Sequence, residues 1–319
     1  MMMPKKLLIL TSLALVGFLL FSFIKQVRQK SFFGLDEISK PLPFYEKWEI
    51  DPLSNEEKKS LEEALSQSYS YLGKGAQSYA FLSKDGRYVI KFFKFKHLQL
   101  NFIQSIIPEF GPLKKWKENK LKEKSKKLEK LFDAYRLAFE VHRKESALVY
   151  IHLNPTDKLL PALDVLDPSG KKVSLNLDSI PFLIQKKVEI TRSIFERLFK
   201  AKKIDEVKLK INQIVELYLS EYRKGIFDHD HGVMHNTGFI DGLPVHLDVG
   251  KIYFDEAIKL PENAYLDLVK IGWKIREHML RKFPEHEKEI TKYLNTTIGN
   301  AFKRHLDYDQ IDGAILWKR

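Results

Sequence analysis

The spacing of apolar positions changes along the chain, and each change predicts a different kind of element. Residues 7–24 form an apolar run of eighteen without a charge. A bilayer core takes about 20 such residues, so the run predicts a membrane-spanning helix, with residues 1–30 as an N-terminal anchor. Residues 31–65 lose that character. Pro41, Pro43 and Pro52 precede the acidic, helix-like stretch NEEKKSLEEAL, and together they read as a juxtamembrane spacer. From residue 71 the apolar residues come in short runs separated by turn residues, which is the pattern of strands. A run at 71–81 is interrupted by Gly73-Lys74-Gly75, Lys84-Asp85-Gly86-Arg87 supplies a turn, and Tyr88-Val89-Ile90-Lys91-Phe92-Phe93 is a further strand. Residues 159–166 and 172–177 flank Asp167-Pro168-Ser169-Gly170 as another hairpin, and 181–187 reads as a strand. Between these strands a helical period runs through Leu128, Leu131, Tyr135, Ala138 and His142 to Glu145, Leu148 and Val149. Beyond residue 190 the period is helical almost throughout, at 191–201, 205–224, 265–282 and 286–305.

One stretch breaks that last regime. Residues 225–250 read GIFDHDHGVMHNTGFIDGLPVHLDVG. Two β-like runs, 238–240 and 245–247, are joined by Asp241-Gly242, a strong hairpin signal because Gly accepts the positive φ that the turn demands. A hairpin there brings Asn236 and Asp248 side by side, with Asp230 on the loop before them. An amide oxygen and a carboxylate converging in this way form a hard oxygen site suited to Mg²⁺.

Composition adds limits. The chain has 319 residues, 44% hydrophobic and 30% charged, enough for a sizeable core. The absence of cysteine excludes disulfides, thiolate metal sites and a cysteine nucleophile. Half of the formal charge of +12 comes from residues 114–130, where nine lysines face three glutamates. That run is a solvated helix face, or a contact for anionic lipid beside the anchor. With Trp116 its only aromatic residue, nucleic-acid binding is not expected. Lys5 and Lys6 precede the apolar run, and Lys25, Arg28 and Lys30 follow it. The excess on the C-terminal side places the large domain in the cytoplasm, and no small-residue cleavage site argues for a removed signal peptide.

The order of these features resembles the protein-kinase-like superfamily, with its G-x-G-x-x-G-x-V loop, V-A-I-K strand, H-R-D-L-x-x-x-N loop and D-F-G segment. Here they read Gly73 to Phe81 with Ser78 at the third glycine, Val89 to Lys91, Asp228-His229-Asp230, and Asp248-Val249-Gly250. The resemblance covers about 70–255. The chain also resembles an uncharacterised kinase-like group of chlamydia-related bacteria, which implies no function. The superfamily resemblance implies an α+β, bilobal protein-kinase-like fold, with a small β-sheet lobe at 66–187 and a helical lobe at 188–319. It further implies ATP and Mg²⁺ as cofactors. Gly73, Gly75, Ser78 and Lys91 would meet the phosphates, with Glu145, favoured over Glu140, holding Lys91. Asp248 and Asn236 would bind the metal, and Asp230 would serve the acceptor hydroxyl. His235 stands where the family places its Asn, one residue before Asn236.

Two other readings stand beside a membrane-anchored phosphotransferase. His229 in place of the family's Arg and the displaced Asn236 suit a catalytically inactive pseudokinase or scaffold at a membrane. Asp228, His229, Asp230, His231 and His235, joined by His246, suit a metal-dependent hydrolase.

Overall fold

A computed structural model describes residues 33–95 and 111–317. The predicted anchor at 7–24 lies outside those residues. Among the described residues no helix is long and apolar enough to cross a membrane. The architecture is mixed α+β, a curled seven-stranded sheet followed by a helical part.

The sheet runs in the order β4-β7-β3-β2-β1-β5-β6, built from β1 (Tyr69–Lys74), β2 (Ser78–Ser83), β3 (Tyr88–Phe93), β4 (Leu148–His152), β5 (Ala162–Leu166), β6 (Lys172–Asn176) and β7 (Phe182–Lys186). Every neighbouring pair is antiparallel except β1 with β5. β3 lies between β2 and β7, and all its residues but Lys91 are buried. That is why its sequence shows a nearly continuous apolar run rather than alternation. One face packs Phe81, Ile90, Phe92 and Ile184 with Ile38, Ala64 and Leu65. The other packs Phe93, Ile151 and Leu183 against Leu131, Phe132 and Tyr135 of a long helix.

Two elements differ from the sequence reading. Residues 33–65 are part of the sheet lobe rather than a spacer. Helix α1 (Asn55–Leu65) begins with a capping box between Ser54 and Glu57 and buries its C-terminal Ala64 and Leu65 on the sheet. The helical period from Leu128 belongs to α2 (Gly111–Val141), which also takes in the whole lysine-rich run. That helix stops before Glu145. Arg143–Ser146 is a separate turn, Ala147 takes a left-handed conformation at φ 53°, and Leu148 and Val149 begin β4.

The helical part holds α3 (Thr191–Lys200), α4 (Ile204–Lys224), α5 (Pro261–Lys282) and α6 (Glu287–Phe302), packed around Ile211, Ile214, Tyr218, Leu268, Ile275 and Leu294. Gly225 ends α4 at φ 72°, the left-handed C-cap that glycine allows without strain. The chain then enters β9 (Ile226–Asp228), which pairs with β12 (Ile252–Phe254), and between them lies the hairpin of β10 (Thr237–Ile240) and β11 (Leu243–His246). Asp241 at φ 51° and Gly242 at φ 82° form its turn, as Asp-Gly predicts. β8 (Glu189–Ile190) adds a third strand to the hairpin.

Candidate functional site

The hairpin returns the chain to its starting point. Leu247 N donates to Asn236 O at 2.7 Å, so Asn236 sits beside the residue preceding Asp248. Thr237 pairs with His246 in the register of the strands. Asp248 Oδ1 accepts from Gly250 N at 3.2 Å, which holds the carboxylate over its own turn. Val249 is buried in the same cluster as Phe93, Phe132 and Tyr135, fixing the segment against α2 and the sheet.

Lys91 reaches this segment from the opposite side. Its Nζ donates to Leu247 O at 2.7 Å. Burial pushes the ammonium below its ordinary pKa, and the neighbouring Asp248 carboxylate offsets part of that cost. The structure therefore sets Lys91 against the Leu247–Asp248 segment.

Glu145 is not the partner of Lys91. Its Oε1 accepts from Lys224 Nζ at 2.5 Å, and its Oε2 lies 3.6 Å from His142 Nδ1. The cause is the break in the helix after Val141, which takes Glu145 off the face of α2. Glu140 is no substitute, being paired with Arg136 one turn earlier on an exposed face. The residue of α2 that faces the site is Tyr135, whose hydroxyl donates to Asp248 Oδ1 at 3.4 Å. Burial, and then the Asp248 charge, hold its phenol well above the usual pKa. Its position on the apolar stripe with Leu131 and Ala138 was the available signal, since a tyrosine there carries a polar atom to the end of a buried face.

Asp230 stands on the loop after β9. It accepts from Lys251 Nζ at 2.7 Å and from Gly232 N at 3.1 Å. Burial would raise its carboxyl, but Lys251, Gly232 and the Asn236 side chain outweigh burial and hold it below the usual range. Asp230 and Asn236 are thus brought together through side chains, while Asn236 meets the Asp248 segment through its backbone. His235 is exposed.

The glycine loop covers the other end. Gly75 N donates to Ser78 O at 2.9 Å, and Lys94 Nζ to Gly75 O at 2.5 Å. A Cβ at Gly73 would meet nothing within 4 Å, so the space beside it is open. The loop tip touches the Asp248–Gly250 segment. A Cβ on Gly250 would fall 2.8 Å from Gln77 Oε1 and 2.8 Å from Leu131 Cδ1. Gln77 Oε1 is buried without a hydrogen-bond partner.

The histidines of 229–235 do not converge. His231 Nε2 lies 2.6 Å from Asp267 Oδ1, and Tyr222 OH donates to Asp267 Oδ2 at 2.7 Å, which turns His231 into the helical part. His235 points outward. Asp228 is buried and accepts from Asp230 N at 2.8 Å, and burial pushes its carboxyl up to about 7. The sequence reading of a hydrolase centre in this stretch is not met by its geometry.

No family model matches the chain, and no curated protein matches it. Among solved structures, the chain is similar over 78% of its length to a structure of the bifunctional kinase-methyltransferase WbdD, at 12% identity and a TM-score of 0.37. It is similar over 76% of its length to WbdD in complex with the kinase inhibitor LY294002, at 11% identity and a TM-score of 0.35. The chain spans about half the length of these structures, 49% and 48%. A likeness at such scores carries no argument about this site. Neither structure bears on the chlamydia-related group.

Proposed function

We propose that the chain is a kinase-like protein whose cleft binds ATP and Mg²⁺ and supports phosphoryl transfer to a hydroxyl acceptor. The observation that carries this reading is the meeting of Lys91, from the central strand of the sheet, with the Leu247–Asp248 end of the hairpin. The residues present fit the two groups. Open space lies beside Gly73, an orphaned buried oxygen of Gln77 lies beside Gly250, and Asp248 and Asn236 offer the hard oxygens that Mg²⁺ prefers. When bound, ATP supplies the transferable phosphoryl group and Mg²⁺ the charge that offsets its oxygens.

Each residue then has a distinct task. Lys91 sets a cation against the phosphates while the 73–78 loop covers them. Asp248 and Asn236 hold the metal. Asp230, kept ionised, orients the acceptor hydroxyl and takes its proton once Lys251 gives way. Phosphoryl transfer needs positioning and charge neutralisation more than covalent chemistry, so this set is sufficient.

A second reading, nucleotide binding without turnover, is favoured by two observations. Lys251 occupies Asp230, and Tyr135 rather than a glutamate faces the site from α2. The two readings separate at Asp230→Asn, measured with radiolabelled ATP and the chain itself among the acceptors. A phosphotransferase keeps nucleotide affinity and loses about 10² or more in turnover. A pseudokinase shows no transfer before or after the change.

Membrane attachment through residues 7–24 and anionic-lipid contact through 114–130 belong to the same proposal. They are supported by the sequence pattern and by the exposure of Leu113, Trp116 and Leu121 on the first half of α2. Carbonate extraction of membranes from producing cells tests the anchor, and release of the chain into the soluble fraction would count against it.

A further inference from the structure

Behind the hairpin lies a second polar cluster that the nucleotide reading does not use. His142 immediately follows α2, Glu221 projects from the last turns of α4, and His246 ends β11. The three residues are 0%, 1% and 1% exposed. His142 Nε2 lies 2.6 Å and His246 Nε2 2.9 Å from the same oxygen, Glu221 Oε1. Two imidazoles thus crowd one oxygen of one buried carboxylate. Nδ1 of both histidines and Asp228 Oδ2 beside them are buried without a hydrogen-bond partner. Buried polar atoms are nearly always satisfied, and a group of them that is not calls for an explanation.

We propose that His142, Glu221 and His246 bind a transition-metal ion, zinc by the chemistry of the ligands, in a closed structural site. Among the described residues they are the one group of three or more such side chains whose ligand atoms all lie within 4.8 Å of one another. Two imidazole nitrogens and a carboxylate oxygen suit zinc and are not a set that Mg²⁺ selects.

The next ring of residues has the arrangement such sites use. Each histidine presents Nε2 to the shared centre and turns Nδ1 toward a further carboxylate, His142 to Glu145 Oε2 at 3.6 Å and His246 to Asp228 Oδ2 at 3.8 Å. A carboxylate behind a ligating histidine fixes its tautomer and raises its basicity. This gives Glu145 a task in place of the one its sequence position suggested. Bonds of about 2.0 Å in a tetrahedral site set ligand atoms about 3.3 Å apart, so the two Nε2–Oε1 separations would open by less than about 1 Å. The second oxygen of Glu221 would complete the coordination. Solvent does not reach the ligands, so the ion would hold structure rather than activate water. It would pin the end of α2, the helix α4 and the hairpin two residues before Asp248. The site is independent of the nucleotide reading.

The test uses the full-length chain, purified without a histidine tag or chelator and analysed for metals. About one equivalent of zinc is expected. Depletion should lower the unfolding midpoint by about 5 °C or more, with recovery on adding zinc. Cobalt added to the depleted chain should give the intense visible bands of a four-coordinate site. His142→Gln and His246→Gln should lose the metal, while Asp248→Ala should keep it, which separates this site from the cleft. Should either histidine variant fail to fold, the cobalt spectrum and the zinc-dependent midpoint of the unmodified chain decide. The proposal is overturned by a chain without bound metal whose midpoint zinc does not move, leaving a paired imidazolium–carboxylate cluster. It is equally overturned by metal that survives in folded histidine variants or vanishes in Asp248→Ala.

Discussion

Two polar clusters lie on either side of one hairpin, and they obey opposite rules. Lys91, Asp230, Asn236 and Asp248 face the cleft, where the polar groups are half-exposed and each has a named partner. His142, Glu221 and His246 are sealed, and Nδ1 of each histidine has no hydrogen-bond partner. His246 and Asp248 are separated only by Leu247, so one short segment feeds both. In the cleft, solvent screens charge and each group can exchange its partner for a ligand. In the sealed cluster nothing can exchange, and removing one member leaves the others uncompensated.

The largest effect should therefore come from the sealed side. Glu221→Ala strands two buried histidines and should cost about 3–5 kcal/mol of stability, measured by denaturant unfolding, with no requirement for nucleotide. A cost near that of a surface change would erase the distinction between the clusters. Next comes the contact between the glycine loop and the Asp248–Gly250 segment. Gly250→Ala places a Cβ 2.8 Å from Gln77 Oε1 and from Leu131 Cδ1, an overpacking that should cost about 1–3 kcal/mol and shift the glycine loop. Unchanged stability together with unchanged nucleotide affinity would show that the loop does not rest there.

A third histidine sharpens the comparison. His278 is buried in the helical part with no carboxylate bonded to it, and burial, then Arg281, pushes its pKa from 6.5 to about 4. Because the folded pKa is depressed, its contribution is fully present above 6.5 and is lost as pH falls toward 4. His278→Gln should flatten the acid limb of the stability curve in that window, read from midpoints at several pH values. An unaltered limb would mean that His278 is not held neutral. The smallest effect is expected at the surface: Lys224→Ala breaks a half-exposed pair with Glu145, leaving Glu145 beside His142, and should change stability by less than about 1 kcal/mol.

Much of the cleft was legible in the sequence because its signals are local. Asp241-Gly242 dictates a hairpin, and the hairpin sets Asn236 beside Leu247 whatever surrounds it. Lys91 within an unbroken apolar strand marks a central position, which the sheet order bears out. The helix after the lysine-rich run was legible in its period but not in its end. Leu148 and Val149 continue a 3.6-residue pattern and serve equally well as strand residues, and neither His142, where the helix breaks, nor Ala147, left-handed at the end of the separate turn, carries a sign of its conformation. Residues 33–65 were misread because prolines and acidic residues signal a spacer, while their packing on the sheet depends on Ile38, Ala64 and Leu65 meeting a distant surface. The sealed cluster had no local spacing at all. Its faint sign was a carboxylate, Glu221, on the buried stripe of α4 between Tyr218 and Tyr222.

The proposed nucleotide site rests on Lys91 and Asp248 and does not include Glu145. The most direct measurement is the shift in unfolding midpoint of the full-length chain on adding ATP, with and without Mg²⁺, for the unmodified protein and for Lys91→Met, Asp248→Ala and Glu145→Ala. The expected result is a Mg²⁺-dependent rise that is lost in Lys91→Met and Asp248→Ala and kept in Glu145→Ala. No rise in the unmodified chain, or one that survives Lys91→Met or disappears in Glu145→Ala, would contradict it.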